Sequence, residues 1–281
     1  MHIEHGTGGI PSKYDIRDYW YSPIGRGAID WATGYDIEKI VGTIPTKDQG
    51  KSYSCGGQAW AYYGAVLEKI ATGDLEERSA RWIYSHTHAI PGGGSSAYAN
   101  NDFCIKTGWV REALVTSYEG KSAPSEAFIT QSVPTTPDII SDTAYAKALS
   151  YLKVQPNIDL IAQAIQDNYG VILLVQGEDN GSWRSSFPKP PSVGVWAHWL
   201  YASKFKIING KKYIGVKNSW GDKTGDKGWQ WLGEDYFKSG FINEGWTMQW
   251  DYKPAAHKVA AQKTIAILQQ IIELYKKLLN K

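Results

Sequence analysis

Asp48-Gln49-Gly50-Lys51-Ser52-Tyr53-Ser54-Cys55-Gly56-Gly57-Gln58-Ala59-Trp60-Ala61-Tyr62 passes from a polar loop into an apolar helix, with a cysteine at the turn. A thiol at a helix N-terminus meets the positive end of the aligned peptide dipoles and a set of unpaired backbone N–H groups, and both favour thiolate over thiol. Cys55 is therefore the candidate nucleophile. From Ala59 onward, Trp60, Ala61, Tyr62, Ala65, Val66, Leu67 and Ile70 recur at helical spacing, so the helix is expected to be buried and to hold the thiol rigidly. Thr72-Gly73-Asp74 ends it. Gln49, six residues upstream, is placed to aim its side-chain amide at the same point.

A cysteine nucleophile needs a base that stays beside it as an imidazolium, and a third group that fixes the ring's tautomer and direction. The second half of the chain offers both. Asn157 reads as the cap of a short amphipathic helix through Ile165, followed by the strand Gly170 to Val175. Trp196 to Ile208 and Lys212 to Asn218 then alternate around an Asn209-Gly210 turn, a strong hairpin signal that puts His198 and Asn218 on neighbouring strands. His198 follows Cys55 by 143 residues.

The Asp48-Gln49-Gly50…Ser54-Cys55 spacing resembles the papain-like cysteine peptidases, in the form seen in bacteria, and the roughly 130 to 150 residues that separate nucleophile from histidine in that family match as well. Lys217-Asn218-Ser219-Trp220-Gly221 is similar to its second signature, and Gly228-Trp229-Gln230-Trp231-Leu232 to the strand that follows it. The resemblance covers residues 10 to 245. It implies an α+β fold of two lobes, one helical and one an antiparallel, barrel-like β lobe, with the active-site cleft between them. It also implies Cys55 as nucleophile, His198 as base, Asn218 as orienter and Gln49 as oxyanion donor, with Trp220 covering the His198–Asn218 bond from water. Gly93 and Gly94 would line the cleft and offer backbone groups to a peptide, a plain turn being the alternative. Trp199 stands where a small residue often borders the main specificity pocket and would reshape it.

Departures from the family pattern are also visible. Gly56-Gly57 replaces the usual aromatic or Thr after the nucleophile, and two glycines in a first turn weaken a helix by about 1 kcal/mol each relative to Ala, so looser positioning of Cys55 is expected. Ser52 stands where a disulfide cysteine is common, and Ala197 where a polar residue is more frequent. The 54 residues ahead of Cys55 are fewer than the family's usual inhibitory prosegment, so either the chain is a mature form or its activity is restrained in another way.

The totals set bounds. With 281 residues, 42% of them hydrophobic, the chain can bury a large core. A net charge of +2 gives no reason to expect nucleic acid or an anionic membrane as partner. The 13 Trp and 18 Tyr fit core packing and strand propensity, or clefts with aromatic walls. With Cys55 as nucleophile, Cys104 is left as a small buried hydrophobe, a disulfide-free arrangement that suits a reducing compartment and many exported bacterial proteins alike. No signal peptide or membrane-length apolar run is visible, so localisation stays open between cytoplasm and a non-standard export route. His86 and His88 are two apart, with no thiol or carboxylate cluster to complete a metal shell, so neither metal nor cofactor is expected.

Three segments follow from these readings. Residues 1–47 form an extended lead-in, 48–250 the catalytic domain (helical lobe about 48–135, β lobe about 136–250), and 251–281 a C-terminal amphipathic helix. Helices are expected within Glu76 to His88 and over Val110 to Val115, with Cys104 just before the latter, and a Pro-rich connection over 124–138. Gly245 to Lys253 is expected to lead away from the fold. In the tail, Ile265, Leu268, Ile272, Tyr275 and Leu279 form an apolar stripe that must be covered by the catalytic domain, by a partner or second copy in a short coiled coil, or by a membrane surface, the last being the least expected. The function read from all this is hydrolysis of peptide or protein substrates through a thioester. The alternatives are a silent peptide-binding relative, a surface or particle component assembled through the tail, and an acyl-transfer variant.

Overall fold

The computed structural model describes residues 6–16, 18–23, 28–89 and 93–250. The tail helix expected beyond residue 250 lies outside them. Regular structure in the lead-in is short: strands β1 (Gly9–Ile10) and β2 (Tyr35–Asp36), then the single-turn helix α1 (Glu38–Val41).

Helix α2 (Cys55–Thr72) is the axis of the helical half. Every residue from Cys55 to Glu68 is buried, as a helix surrounded on all sides requires, and Gly73 stops it in a left-handed cap with φ 82°. α3 (Ala80–Thr87) starts where the Ser79 hydroxyl accepts from the Trp82 N–H. Strand β3 (Ser95–Ser96) leads directly into α4 (Ala97–Lys106), capped by Ser96. Two short helices, α5 (Glu126–Ile129) and α6 (Pro137–Tyr145), lie along and just beyond the Pro-rich connection, each with a hydroxyl cap, Ser125 and Thr136.

No helix forms over Val110 to Val115, and Cys104 lies inside α4 instead of before a helix. Only one turn forms: Leu114 N and Val115 N donate to Arg111 O at 3.0 and 3.2 Å, while the Val110 carbonyl, which a longer helix would give to the Leu114 N–H, accepts from Ser79 N at 2.9 Å. Trp109 N donates to Ala146 O at 2.7 Å, Arg111 N to Asp142 Oδ2 at 2.7 Å and Glu112 N to Glu77 O at 2.8 Å. With those amides engaged, the apolar residues Val110 and Val115 are buried without helical geometry.

The β half contains β4 (Ala148–Val154), α7 (Ile158–Asn168), β5 (Val171–Gly177), a 3₁₀ turn (Ser182–Arg184), β6 (Trp196–Ile208), β7 (Lys211–Lys217), β8 (Trp229–Gly233), α8 (Glu234–Lys238) and β9 (Ile242–Trp250). The strands make one antiparallel sheet in the order β4-β9-β5-β6-β7-β8, with β2 added against β6. Asn209 and Gly210 both take positive φ, 48° and 76°, as the tight β6–β7 turn requires. Residues 245–250 do not lead away from the fold. They are the second half of β9, paired along their length with β4 and, at Gly245 and Trp246, with β5 on the other side, with Trp246 and Met248 in the core.

The sheet is covered on both faces. Ile172 and Leu174 of β5 join Trp60, Tyr63, Trp199 and Trp246 in the core shared with α2. Val171, Leu173 and Val175 face the other way, into a second core with Ile161 and Ile165 of α7. That two-sided burial explains why β5 reads as a continuous apolar run.

Gly56 and Gly57 are close-packed, contrary to the looser positioning expected from helix propensity. A Cβ at Gly56 would lie 2.6 Å from Asn100 Nδ2, and one at Gly57 would lie 2.6 Å from the Ala80 carbonyl oxygen and 2.9 Å from Tyr84 Cβ. Propensity alone makes Gly57→Ala stabilising by about 1 kcal/mol. The contact with the α3 backbone reverses the sign, and urea denaturation of Gly57→Ala is expected to show a loss of about 1–3 kcal/mol.

Candidate active site

Cys55 opens α2 and His198 lies near the start of β6. The two elements meet directly: a Cβ on Gly56, the residue after Cys55, would lie 3.5 Å from the indole Cδ1 of Trp199, the residue after His198. Asn218 follows the last residue of β7, and the β6–β7 pairing brings it beside the ring: His198 Nε2 and Asn218 Oδ1 are 2.9 Å apart. Cys55, His198 and Asn218 are each 0% exposed. Trp220 packs on the imidazole with ring centroids 4.6 Å apart, and Trp196 lies edge-on to both rings, 6.4 Å from the imidazole and 5.7 Å from Trp220.

Gln49 joins the same point from the loop ahead of α2. Its Oε1 accepts from the Ser219 hydroxyl at 2.6 Å, which turns the amide nitrogen the other way, and Nε2 donates to the carbonyls of Ser52 at 2.8 Å and Gly6 at 3.0 Å. The loop is braced from within: Ser52 Oγ donates to Gln49 O at 2.7 Å and lies 2.7 Å from Ser54 Oγ, which also accepts from Gln58 Nε2.

The remaining candidates border the cleft in different ways. Trp199 is buried, donates from Nε1 to Ser95 O at 2.9 Å and meets Trp60 edge-on at 5.3 Å. Gly94 takes φ 76° and backs directly onto the Gly8 backbone, whereas Gly93 is partly exposed. The peptide-pairing group at this wall is Ser95, whose N–H donates to Gly8 O at 2.9 Å. Sequence reasoning assigned no part to Ser95 or Ser219, although Ser219 lies inside the second signature.

Nor did it foresee what occupies the cleft. Gly6 to Ile10 lies across the site: Gly6 N donates to Gly50 O at 3.0 Å, and Gly6 O accepts from Gln49 Nε2 and, at 3.3 Å, from Trp220 Nε1. Gly8 N donates to Cys55 Sγ at 3.3 Å, and β1 pairs in parallel with β3, Gly9 opposite Ser95. Farther along, Ser12 N donates to Glu244 Oε1 at 2.5 Å. Asp18 accepts from Tyr98 Oη at 2.6 Å and Lys153 Nζ at 2.9 Å, and Tyr19 to Tyr21 pairs with Lys153 through two backbone bonds of 2.8 Å. The short lead-in therefore covers the site that its length alone did not suggest it would block.

Under this cover the electrostatics of Cys55 differ from the sequence expectation. Burial pushes the thiol up to about 11, against the smaller lowering effect of the N–H groups of Trp199, Gly8, Gly56 and Cys55 itself. The helix N-terminus is present, but desolvation outweighs it, and the sulfur is held as a thiol. Cys104 is likewise free and buried. Among the described residues no cluster of three or more His, Cys, Asp or Glu is arranged to hold a metal ion, and no helix is long and apolar enough to cross a membrane. His86 and His88 place their Nδ1 atoms on the carbonyls of Trp82 and Tyr84, at 2.8 and 2.9 Å.

No protein-family model and no curated protein sequence matches the chain. Solved structures do. Xylellain, a cysteine protease from Xylella fastidiosa, superposes with a TM-score of 0.70 at 19% identity, over 88% of this chain and 96% of that one. Procathepsin L 3 from the larval midgut of Tenebrio molitor gives 0.66 at 14% identity, over 88% and 76%. Bromelain from Ananas comosus, in complex with the E64 inhibitor, gives 0.60 at 19% identity, over 78% and 99%. Helical half, β half and the cleft between them thus make up the fold of the papain-like cysteine proteases.

Proposed function

We propose that the chain is a cysteine peptidase acting on peptide or protein substrates, present here in a latent form. The observation that carries this reading is the His198 Nε2···Asn218 Oδ1 pair at 2.9 Å, held on β6 and β7 against the N-terminus of α2 where Cys55 begins. Asn218 fixes one ring nitrogen and leaves the other for the thiol proton. The cysteine-protease fold of the structural neighbours supports the same chemistry, as does the description of bromelain as bound to E64.

With the cleft open, Cys55 transfers its proton to His198 and attacks the scissile carbonyl. Gln49 Nε2, which in the covered state holds the Gly6 carbonyl, and the Cys55 backbone N–H stabilise the oxyanion. His198 then donates its proton to the leaving amine, and a thioester remains. A water that gives its proton to His198 hydrolyses the thioester and restores the thiol. Trp220 shields the ring, and the backbone of Ser95 beside Gly93 and Gly94 takes the peptide over the floor formed by Trp199.

The lead-in does not sit as a substrate. The atom facing Sγ is an N–H that donates to it, where a reactive peptide would present a carbonyl carbon. Cys55 is thereby covered, protonated and hydrogen-bonded at once.

Displacing the segment within the full chain tests the reading. A Cβ at Gly9 would lie 2.5 Å from Leu174 Cδ1 and 2.9 Å from His198 N, so Gly9→Phe cannot keep β1 in place. An epoxide inhibitor of papain-like enzymes is expected to label Gly9→Phe at Cys55 at least about tenfold faster than the unmodified chain. Adding His198→Ala in that background is expected to slow labelling by about 10²–10⁴-fold. An opened chain in which Cys55 stays unlabelled, or labels no faster than Cys104, would count for a silent binding module.

Stability should also respond to pH. The folded chain keeps the Cys55 proton to about pH 11, whereas an unfolded thiol releases it near 9.0. The contribution is therefore complete below pH 9.0 and is lost as pH rises through 11. Urea midpoints measured across that window should fall less steeply for Cys55→Ala than for the unmodified chain.

A further inference from the structure

Asn218 can orient His198 only if its own amide cannot turn over. Oxygen and nitrogen of an amide have nearly the same size, and a flipped Asn218 would present N–H groups to Nε2 and demand the opposite tautomer. Something must therefore distinguish its two ends. Asn218 Oδ1 accepts from the Ser219 backbone N–H at 2.7 Å as well as facing His198. At the other end, Asn218 Nδ2 donates to Gln230 Oε1 at 2.8 Å.

Gln230 is itself an amide, so its direction needs a cause. β8 pairs it opposite Val216, two residues before Asn218, and it is 0% exposed. Its Nε2 donates to Trp183 O at 2.6 Å and to Ser185 O at 3.1 Å, in and just beyond the 3₁₀ turn. Backbone carbonyls only accept, so both hydrogens of Nε2 are committed and Oε1 must point to Asn218. The order then propagates without choice: two carbonyls fix Gln230, Gln230 fixes Asn218, and Asn218 fixes the proton of His198 on Nε2.

We infer that Gln230 is a positioning residue for this site, acting through Asn218 to set the tautomer of His198, an assignment that rests on the peptidase reading for its consequence in catalysis. It touches no reacting atom. An aliphatic side chain of similar length would fill the same space between Trp183 and Asn218 and would leave Asn218 Nδ2 without its acceptor. Three aligned amide and carbonyl dipoles would then no longer support the Nε2 proton.

The test has two readouts. In the full chain, ¹⁵N spectra of the His198 ring, assigned by comparison with His198→Ala and taken where the ring is neutral, are expected to show the Nε2–H tautomer alone. Gln230→Met is expected to give a mixture of tautomers with the fold retained. In the Gly9→Phe background, Gln230→Met should lower kcat by about 10- to 100-fold with KM unchanged, and Gln230→Glu, whose second oxygen would face the Trp183 and Ser185 carbonyls without a hydrogen to give them, should not recover the loss. An Nδ1–H tautomer in the unmodified chain, or a single Nε2–H tautomer and unchanged kcat in Gln230→Met, overturns the assignment. Should Gln230→Met not fold, the unmodified chain's tautomer and Gln230→Leu decide it. Failure of the peptidase reading looks different: Gly9→Phe with Gln230 intact would be inert, and the ring spectra would still report on Gln230.

Discussion

The first turn of α2 is the contact on which both halves of the molecule are registered. Cys55 is supplied by one half and His198 by the other, so the chemistry depends on how closely a helix end can approach a sheet. Gly56 and Gly57 seat that helix end tightly within its own half. With no Cβ, they admit Asn100 and the α3 backbone to positions a side chain would occupy, while Trp199 of the sheet lies in ordinary contact with Gly56. Trp199 then fills the space, fully buried, and its Nε1 ties the sheet to Ser95. The two oddities beside the catalytic candidates, a glycine after the cysteine and a tryptophan after the histidine, touch each other at this contact. Displacements near 1 Å are enough to cost a catalytic arrangement about 10²-fold in rate, which is why the fit matters more than the helix propensity it gives up.

Gln49, Cys55, His198 and Asn218 were legible because each sits in a short local pattern: a loop entering a helix, an alternating strand, an Asn-Gly turn, a signature with fixed spacing. The roles assigned to them remain proposals, but their convergence needed only the order of elements. Other parts were not legible for physical reasons. Val110 to Val115 carries apolar residues at spacings a helix would use, yet Ser79, at the start of α3, claims the Val110 carbonyl. In residues 245–250, Trp246, Met248 and Trp250 do alternate with Thr247 and Gln249, but the partner strand β4 lies far back in the chain, and nothing local points to it. Gln230 was quoted only as part of a strand, since nothing in its neighbours says that a carbonyl pair at Trp183 and Ser185 waits for its amide.

The covering segment was hidden for a different reason. Gly6, Gly8 and Gly9 form no hydrophobic pattern, and their fit depends on having no side chains against Lys51, Tyr53 and Leu174. Their hold on the cleft is made of backbone bonds, which contribute about 0.5–1.5 kcal/mol each. Such a sum is small for a separate peptide but adequate for a tethered one, whose effective concentration is of millimolar order. The stronger attachments lie downstream, where Glu244 takes the Ser12 N–H and Asp18 binds Lys153 and Tyr98. The glycine run can therefore lift from Cys55 while Tyr19 to Tyr21 stays paired with Lys153. On the proposed latent reading, opening the site would be a local equilibrium, set by the few bonds of residues 6–10 and not by the stability of the cores beneath them.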